Sequence, residues 1–140
     1  MQLKSLVAVI LLLGCGGVTA FAQQPGVDPI GDNLFAPEFV MGHQQALGLT
    51  EEQKAFFKTG VRKAQTIFTE LQWQLQDEME KLVAQVSPAQ VNEAQTLEQL
   101  DKVLNLEREI KKAQIALLVR IKNNLTPDQQ ARLREIRARK

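Results

Sequence analysis

Tyrosine is absent from the chain, and cysteine occurs once, as Cys15. Aromatic residues make up only 5% of the 140 positions. A β-rich domain would need more aromatic and β-branched residues and regular turn signals, so an all-β or mixed fold is excluded. A single cysteine near the N-terminus offers no disulfide, no thiolate metal cluster and no thiol nucleophile to the rest of the chain. Stability must therefore come from apolar packing. Excess charge of one sign is missing too: 17 basic side chains face 16 acidic ones. Near-neutrality argues against nucleic acid as a partner. No Gly-rich phosphate loop, zincin motif or Ser-His-Asp arrangement is present, so the chain does not read as an enzyme. Its carboxylates, such as Glu78, Glu80, Glu107 and Glu109, alternate with Lys and Arg as solvated i,i+4 dressing.

What remains after the first third is rich in Leu, Ala, Gln, Glu, Lys and Arg, the good helix formers. The first third differs. Lys4 precedes the apolar run Leu6–Leu13, which is shorter than the roughly 20 residues a bilayer needs. This reads as a signal peptide over 1–22, cleaved after Ala20-Phe21-Ala22. Leu12-Leu13-Gly14-Cys15 is the alternative, a lipobox that would put a lipid on Cys15 and tether the protein to a membrane. Removing Lys4 with the leader leaves 16 basic against 16 acidic side chains. Residues 23–35 carry Pro, Gly and Asp at turn-like density and read as a flexible linker. Residues 36–140 suit a single helical domain.

Helix starts dominate that domain. Thr50-Glu51-Glu52-Gln53, Ser87-Pro88-Ala89-Gln90 and Thr126-Pro127-Asp128-Gln129 all have capping-box form: a hydroxyl for the N3 amide, and an N3 Gln side chain that can reach back. Leu49 and Leu125 precede the first and third boxes and are expected in the core. The boxes predict helices over about 51–86, 88–124 and 127–138, after a short helix from Pro37 to Leu47 closed by Gly48. The fold class is all-α: a long antiparallel helical hairpin with a short N-terminal and a short C-terminal helix.

The first long helix carries the stripe Phe57, Val61, Ala64, Phe68, Leu71, Leu75, Met79, Leu82 and Val86, a heptad-like seam with one added step near Leu75. The second carries Leu97, Leu100 and Leu104 on one side. On another lie Val103, Leu106, Ile110, Ala113, Leu117 and Ile121. Around Ile115, Leu117, Leu118 and Val119 it is apolar all round, which predicts burial on every side. A hairpin alone leaves one side open, so a homodimer is expected there.

Binding candidates are few. Trp73 lies ~160° from the seam on the helical wheel, and Phe56 and Ile67 share a flank. They are candidates for a client or partner surface. His43 is the only histidine, and a divalent transition metal is the one cofactor class left open, with His43 as ligand and Met79 as a soft second. Zinc ordinarily takes three or four protein ligands, which a lone His does not supply. Arg132, Arg134, Arg137, Arg139 and Lys140 form a cationic end that suits the helix dipole.

Leu49-Thr50-x-x-Gln53 and Leu125-Thr126-x-x-Gln129 resemble the paired LTxxQ motifs of the Spy/CpxP-like periplasmic proteins. Met41-Gly42-His43-Gln44-Gln45-Ala46-Leu47-Gly48-Leu49-Thr50 is similar to the start of periplasmic heavy-metal sensor and resistance proteins of the ZraP and CnrX types. The resemblance runs from about Phe35 to the C-terminus. It implies an antiparallel dimer of long hairpins in the periplasm. Its implied role is either ATP-independent holding of unfolded envelope proteins, with an envelope signalling protein as the other partner class, or metal sensing and resistance. The single His departs from metal-binding members, and the neutral mature chain departs from strongly basic chaperone members.

Overall fold

The computed structural model describes residues 30–139. The expected leader, the alternative lipobox at Cys15 and most of the expected linker lie outside the described residues. A 3-10 turn occupies Gly31–Asn33, and four α-helices follow: α1 Pro37–Gly42, α2 Glu51–Val86, α3 Glu93–Asn124 and α4 Pro127–Ala138. No strand occurs among the described residues. α2 and α3 pack together as the long hairpin, as the sequence predicts.

α1 is shorter than expected, and His43 shows why. Its backbone N–H donates to the Val40 carbonyl at 3.2 Å, an i−3 bond, while its ring Nδ1 donates to the Phe39 carbonyl at 2.8 Å. The imidazole thus takes the acceptor that its own amide would use in a continuing helix. Residues 43–48 then make a separate turn. Leu49 N–H bonds the Gln44 carbonyl, and Gly48 N–H bonds the Gln45 carbonyl, both at 3.1 Å. These are the two bonds of a Schellman closure, and Gly48 supplies its left-handed residue at φ 59°.

Two capping boxes are complete, at Thr50/Gln53 and at Thr126/Gln129. The third expected box is corrected. Ser87 and Gln90 start no helix: Ser87 is instead the C-cap of α2, with helical dihedrals, and its hydroxyl donates back to the Val83 carbonyl at 2.6 Å. α3 starts later, at Glu93, with Asn92 as N-cap accepting from the Gln95 amide at 3.1 Å. Two antiparallel helices cannot reverse direction between Val86 and Pro88, so residues 87–92 are spent on the turn. Asn92-x-x-Gln95 has the composition of a cap and stands where the returning chain can begin a helix.

The seam is corrected as well. Its spacing does not take the extra step near Leu75. The inward row runs on through Glu78, Leu82 and Gln85, all half-buried, in unbroken 3-4 alternation. Met79 and Val86 are turned out, 42% and 48% exposed. The backbone keeps one supercoil register, and polar residues occupy the positions it reaches. On α3 the packed face is the second stripe: Val103 and Ile121 are buried and Leu106, Ile110, Ala113 and Leu117 half-buried, while Leu97 and Leu104 are exposed.

The apolar core sits at the base of the hairpin. Phe35, Val40, Leu47, Leu49, Phe57, Ile121, Leu125 and Leu133 form one buried cluster, with Phe39, Met41 and Leu117 packed against it. It is drawn from the segment before α1, from α1, from both ends of the hairpin's open side, and from α4. Phe35, which closes the expected linker, is instead fully buried.

Candidate functional site

The two Leu-Thr-x-x-Gln starts meet at this base. Each glutamine closes its own box: Gln53 Oε1 accepts from the Thr50 amide at 3.1 Å, and Gln129 Oε1 from the Thr126 amide at 2.9 Å. Each also bonds the other. Gln53 Nε2 donates to Gln129 Oε1 at 2.9 Å, and Gln129 Nε2 donates to Gln53 Oε1 at 3.1 Å. The remaining amide protons reach backbone carbonyls that end the neighbouring segments, Asn124 at 2.7 Å from Gln53 and Leu47 at 3.3 Å from Gln129. Both side-chain amides are therefore fully used. An Asp, Glu or hydroxyl residue cannot supply both a donor pair and an acceptor, so a side-chain amide is required. Leu49 and Leu125, one residue before each cap, are buried beside this pair. The motif is a reciprocal clamp that ties the start of α2 to the start of α4.

A second clasp holds α4. Arg137 donates to the Leu34 carbonyl at 2.7 Å, and its guanidinium lies 5.1 Å from the Phe35 ring centre and 5.6 Å from that of Phe39. Such stacking favours Arg over Lys. The C-terminal cationic cluster gave no sequence signal that one member would turn inward.

His43 stands next to Phe39, ring centres 4.7 Å apart in edge-to-face geometry. A carbonyl can only accept, so Nδ1 carries a proton, and in the neutral ring the lone pair lies on Nε2. That is the tautomer a metal ligand needs, oriented by a backbone carbonyl. The rest of a metal site is not assembled around it. The surrounding hollow is lined by Gly42, Gln44, Gln45 and Ala46. No group of three or more His, Cys, Asp or Glu able to hold a metal ion occurs among the described residues. Met79 lies 28 residues beyond Glu51, about 42 Å along α2. It cannot share a site with His43 of the same chain.

The aromatic candidates stay apart. Trp73 is 63% exposed on the outside of α2, while Phe56 and Ile67 are less exposed and lie ~120° around the helix from it. Phe56 also leans edge-on against the buried Phe57, ring centres 5.9 Å apart. Of the expected all-apolar segment, Leu117 turns inward against the core, Ile115 and Leu118 are half-buried, and Val119 is exposed. Near the hairpin turn a polar contact replaces apolar packing. Gln99, 3% exposed, donates through Nε2 to the Glu78 carbonyl at 2.8 Å and to the Glu78 carboxylate at 2.6 Å. Lys81 bonds the same carboxylate at 2.6 Å. Hydrogen bonds from Lys81 first and Gln99 second hold the Glu78 carboxyl below the usual carboxylate range.

These features define a helical-hairpin protein whose signature glutamines build architecture rather than chemistry. The chain belongs to the heavy-metal-resistance family, whose profile matches residues 4–137. No curated protein and no solved structure matches it. No helix among the described residues is long and apolar enough to cross a membrane.

Proposed function

We propose that the protein works by binding, as an exported accessory of heavy-metal resistance in the periplasm. It would act as a homodimer and offer its outer helical surface to unfolded envelope proteins or to an envelope signalling partner. The observation that carries this reading is Trp73, a large aromatic left 63% exposed amid polar neighbours on the outer side of α2. Desolvating Trp stabilises complexes strongly, and its burial against a partner is the simplest use for it there. Suppression of aggregation of an unfolded substrate at near-stoichiometric ratio, reduced by Trp73→Ser, is the expected result. No suppression even at large excess would remove the holding activity and leave the signalling partner as the binding role.

A second reading, metal sensing, is favoured by the orientation of His43, whose Nδ1 bonds the Phe39 carbonyl and leaves Nε2 as the ring nitrogen for a ligand. One chain supplies a single good ligand, so this reading needs further donors from a second copy or a partner. Calorimetric titration with Zn²⁺, Ni²⁺ and Cu²⁺, wild type against His43→Ala, separates the cases. Equal heats for the two proteins exclude His43. Mass spectrometry of the mature N-terminus distinguishes cleavage after Ala22 from a lipid-bearing Cys15, the tethered-lipoprotein alternative.

A further inference from the structure

Charge on this near-neutral chain is segregated along the hairpin. Gly60 faces Leu117, and Gln99 bonds Glu78, so the antiparallel register sets residue 69 beside residue 108. On the base side of that level, residues 33–69 and 108–139 carry 13 basic and 6 acidic side chains, a net of seven positive. On the turn side, residues 70–107 carry 2 basic and 8 acidic side chains, a net of six negative. The densest cationic part is the outer stripe of α3, where Arg108, Lys111, Lys112, Ile115, Val119 and Lys122 fall within about 50° of one line. Arg108, Lys111 and Lys112 rim a shallow hollow there, and Ile115, Ala116 and Val119 form its apolar floor. Val119 is exposed and Ile115 half-buried. Lys111 and Lys122 have no ion-pair partner among the described residues.

We infer that the base of the hairpin docks on an anionic lipid surface, with the acidic turn half held away from it. This goes beyond the reading above and does not depend on client holding. A negatively charged surface attracts one half of the molecule and repels the other, so the charge separation sets an orientation as well as an attraction. Exposed apolar side chains rimmed by long cationic ones suit a lipid interface: the aliphatic stems and Val119 meet the acyl boundary while the charged heads reach phosphates. The cations also spread over three helices, with Lys58 and Lys63 on opposite flanks of α2 and Arg132, Arg134 and Arg139 exposed on α4. A single acidic peptide or helix seated along one face would leave most of them uncovered, whereas a broad surface engages many together. Chain continuity points the same way. The residues before Asn33 join the fold at the base, where Arg137 bonds the Leu34 carbonyl, so a lipid on Cys15 would hold this basic end at the membrane.

Vesicle flotation tests this, using residues 23–140, which hold the whole described fold without the leader or Cys15. Phosphatidylcholine vesicles containing about a third phosphatidylglycerol should bind the protein at least about tenfold more tightly than pure phosphatidylcholine, and added salt should erase most of that preference. Lys111→Glu together with Lys122→Glu should weaken binding to the anionic vesicles about tenfold or more. Lys102→Glu, in the acidic half, should change it less than about twofold. Circular dichroism checks that the variants stay helical. Trp73, the only tryptophan, lies in the acidic half, so its emission maximum should not move on binding. Equal binding to neutral and anionic vesicles, or none, overturns the inference, as do equal losses in the two variants or a blue shift of Trp73. Binding to soluble polyglutamate without binding to vesicles overturns it too, and assigns the base to an acidic protein segment. The aggregation assay contains no lipid, so client holding and lipid docking fail separately.

Discussion

The base and the far end of the hairpin are built from similar sequence and held by different means. At the base, residues from five segments converge, and Phe35, Val40, Phe57, Ile121 and Leu133 are almost wholly sealed from solvent. From Gln65 through Glu98 no residue is buried. There, two helices face only each other, and each can cover one narrow stripe. The seam positions at Glu78 and Gln85 are polar, and Val83, Val86, Val91 and Leu97 stand exposed. The difference teaches that helix length does not measure stability in such a fold. Most of the tertiary stabilisation is concentrated where α1 and α4 close over the open end of the hairpin.

Substitutions should separate the two regions. Phe57→Ala, in the base core, should lower unfolding free energy by about 3–5 kcal/mol in urea titration. Val83→Ala, near the turn, should stay within about 0.5 kcal/mol of wild type. Comparable losses at both sites would sink the contrast.

The glutamine clamp comes next in size. Gln53→Ala and Gln129→Ala should each cost about 1–3 kcal/mol, because each leaves amide and carbonyl groups of the other segment unpaired. Their effects should be non-additive by at least about 0.5 kcal/mol in a double-mutant cycle, since the first loss already strands the second partner. Additive losses would mean that each Gln serves only its own cap.

At the far end, the Glu78–Gln99 contact should behave differently. Gln99→Leu alone should destabilise by about 1 kcal/mol, by leaving the Glu78 groups without their donor. Replacing both by Leu should be neutral or stabilising, because an apolar pair suits a seam position. Thermal melts of the three variants decide this.

The smallest effect is expected from pH. Hydrogen bonds to Lys81 and Gln99 lower the Glu78 carboxyl, and hydrogen bonds from its own backbone amide and from Thr50 lower that of Glu52. A depressed carboxyl contributes stability that is present above its unfolded value and is lost as pH falls through its folded value. The Lys81 ammonium is raised by Glu78, so its contribution is present below the ordinary lysine value and is lost only at strongly alkaline pH. Glu78→Gln should therefore make unfolding midpoints fall less steeply between neutral and acid pH. An unchanged acid slope would show that this pair is not felt.

Much of this architecture was legible in the chain. The boxes at Thr50 and Thr126 give helix starts that match the structure, since a cap is a local device within four residues. Their mutual clamp is not visible in sequence, because Gln53 and Gln129 are 76 residues apart. Ser87-Pro88 misled because its pattern is equally local while the turn it lies in is not. Apolar letters alone put Met79 and Val86 in the seam, but the backbone register carries it onto Glu78 and Gln85. Arg137 shows the same limit from the other side: five cations look alike in sequence, and only the approach of Phe35 and Phe39 selects one.

By itself the sequence determined the helical class and the hairpin, along with the single histidine, because these follow from composition and from short-range periodicity. Tertiary structure alone decided that the two LTxxQ glutamines bond each other and that His43 turns Nδ1 to the Phe39 carbonyl. It also decided that the core gathers at one end. Those outcomes depend on which distant segments meet, and a side-chain amide, an imidazole or a guanidinium has no preferred partner until they do.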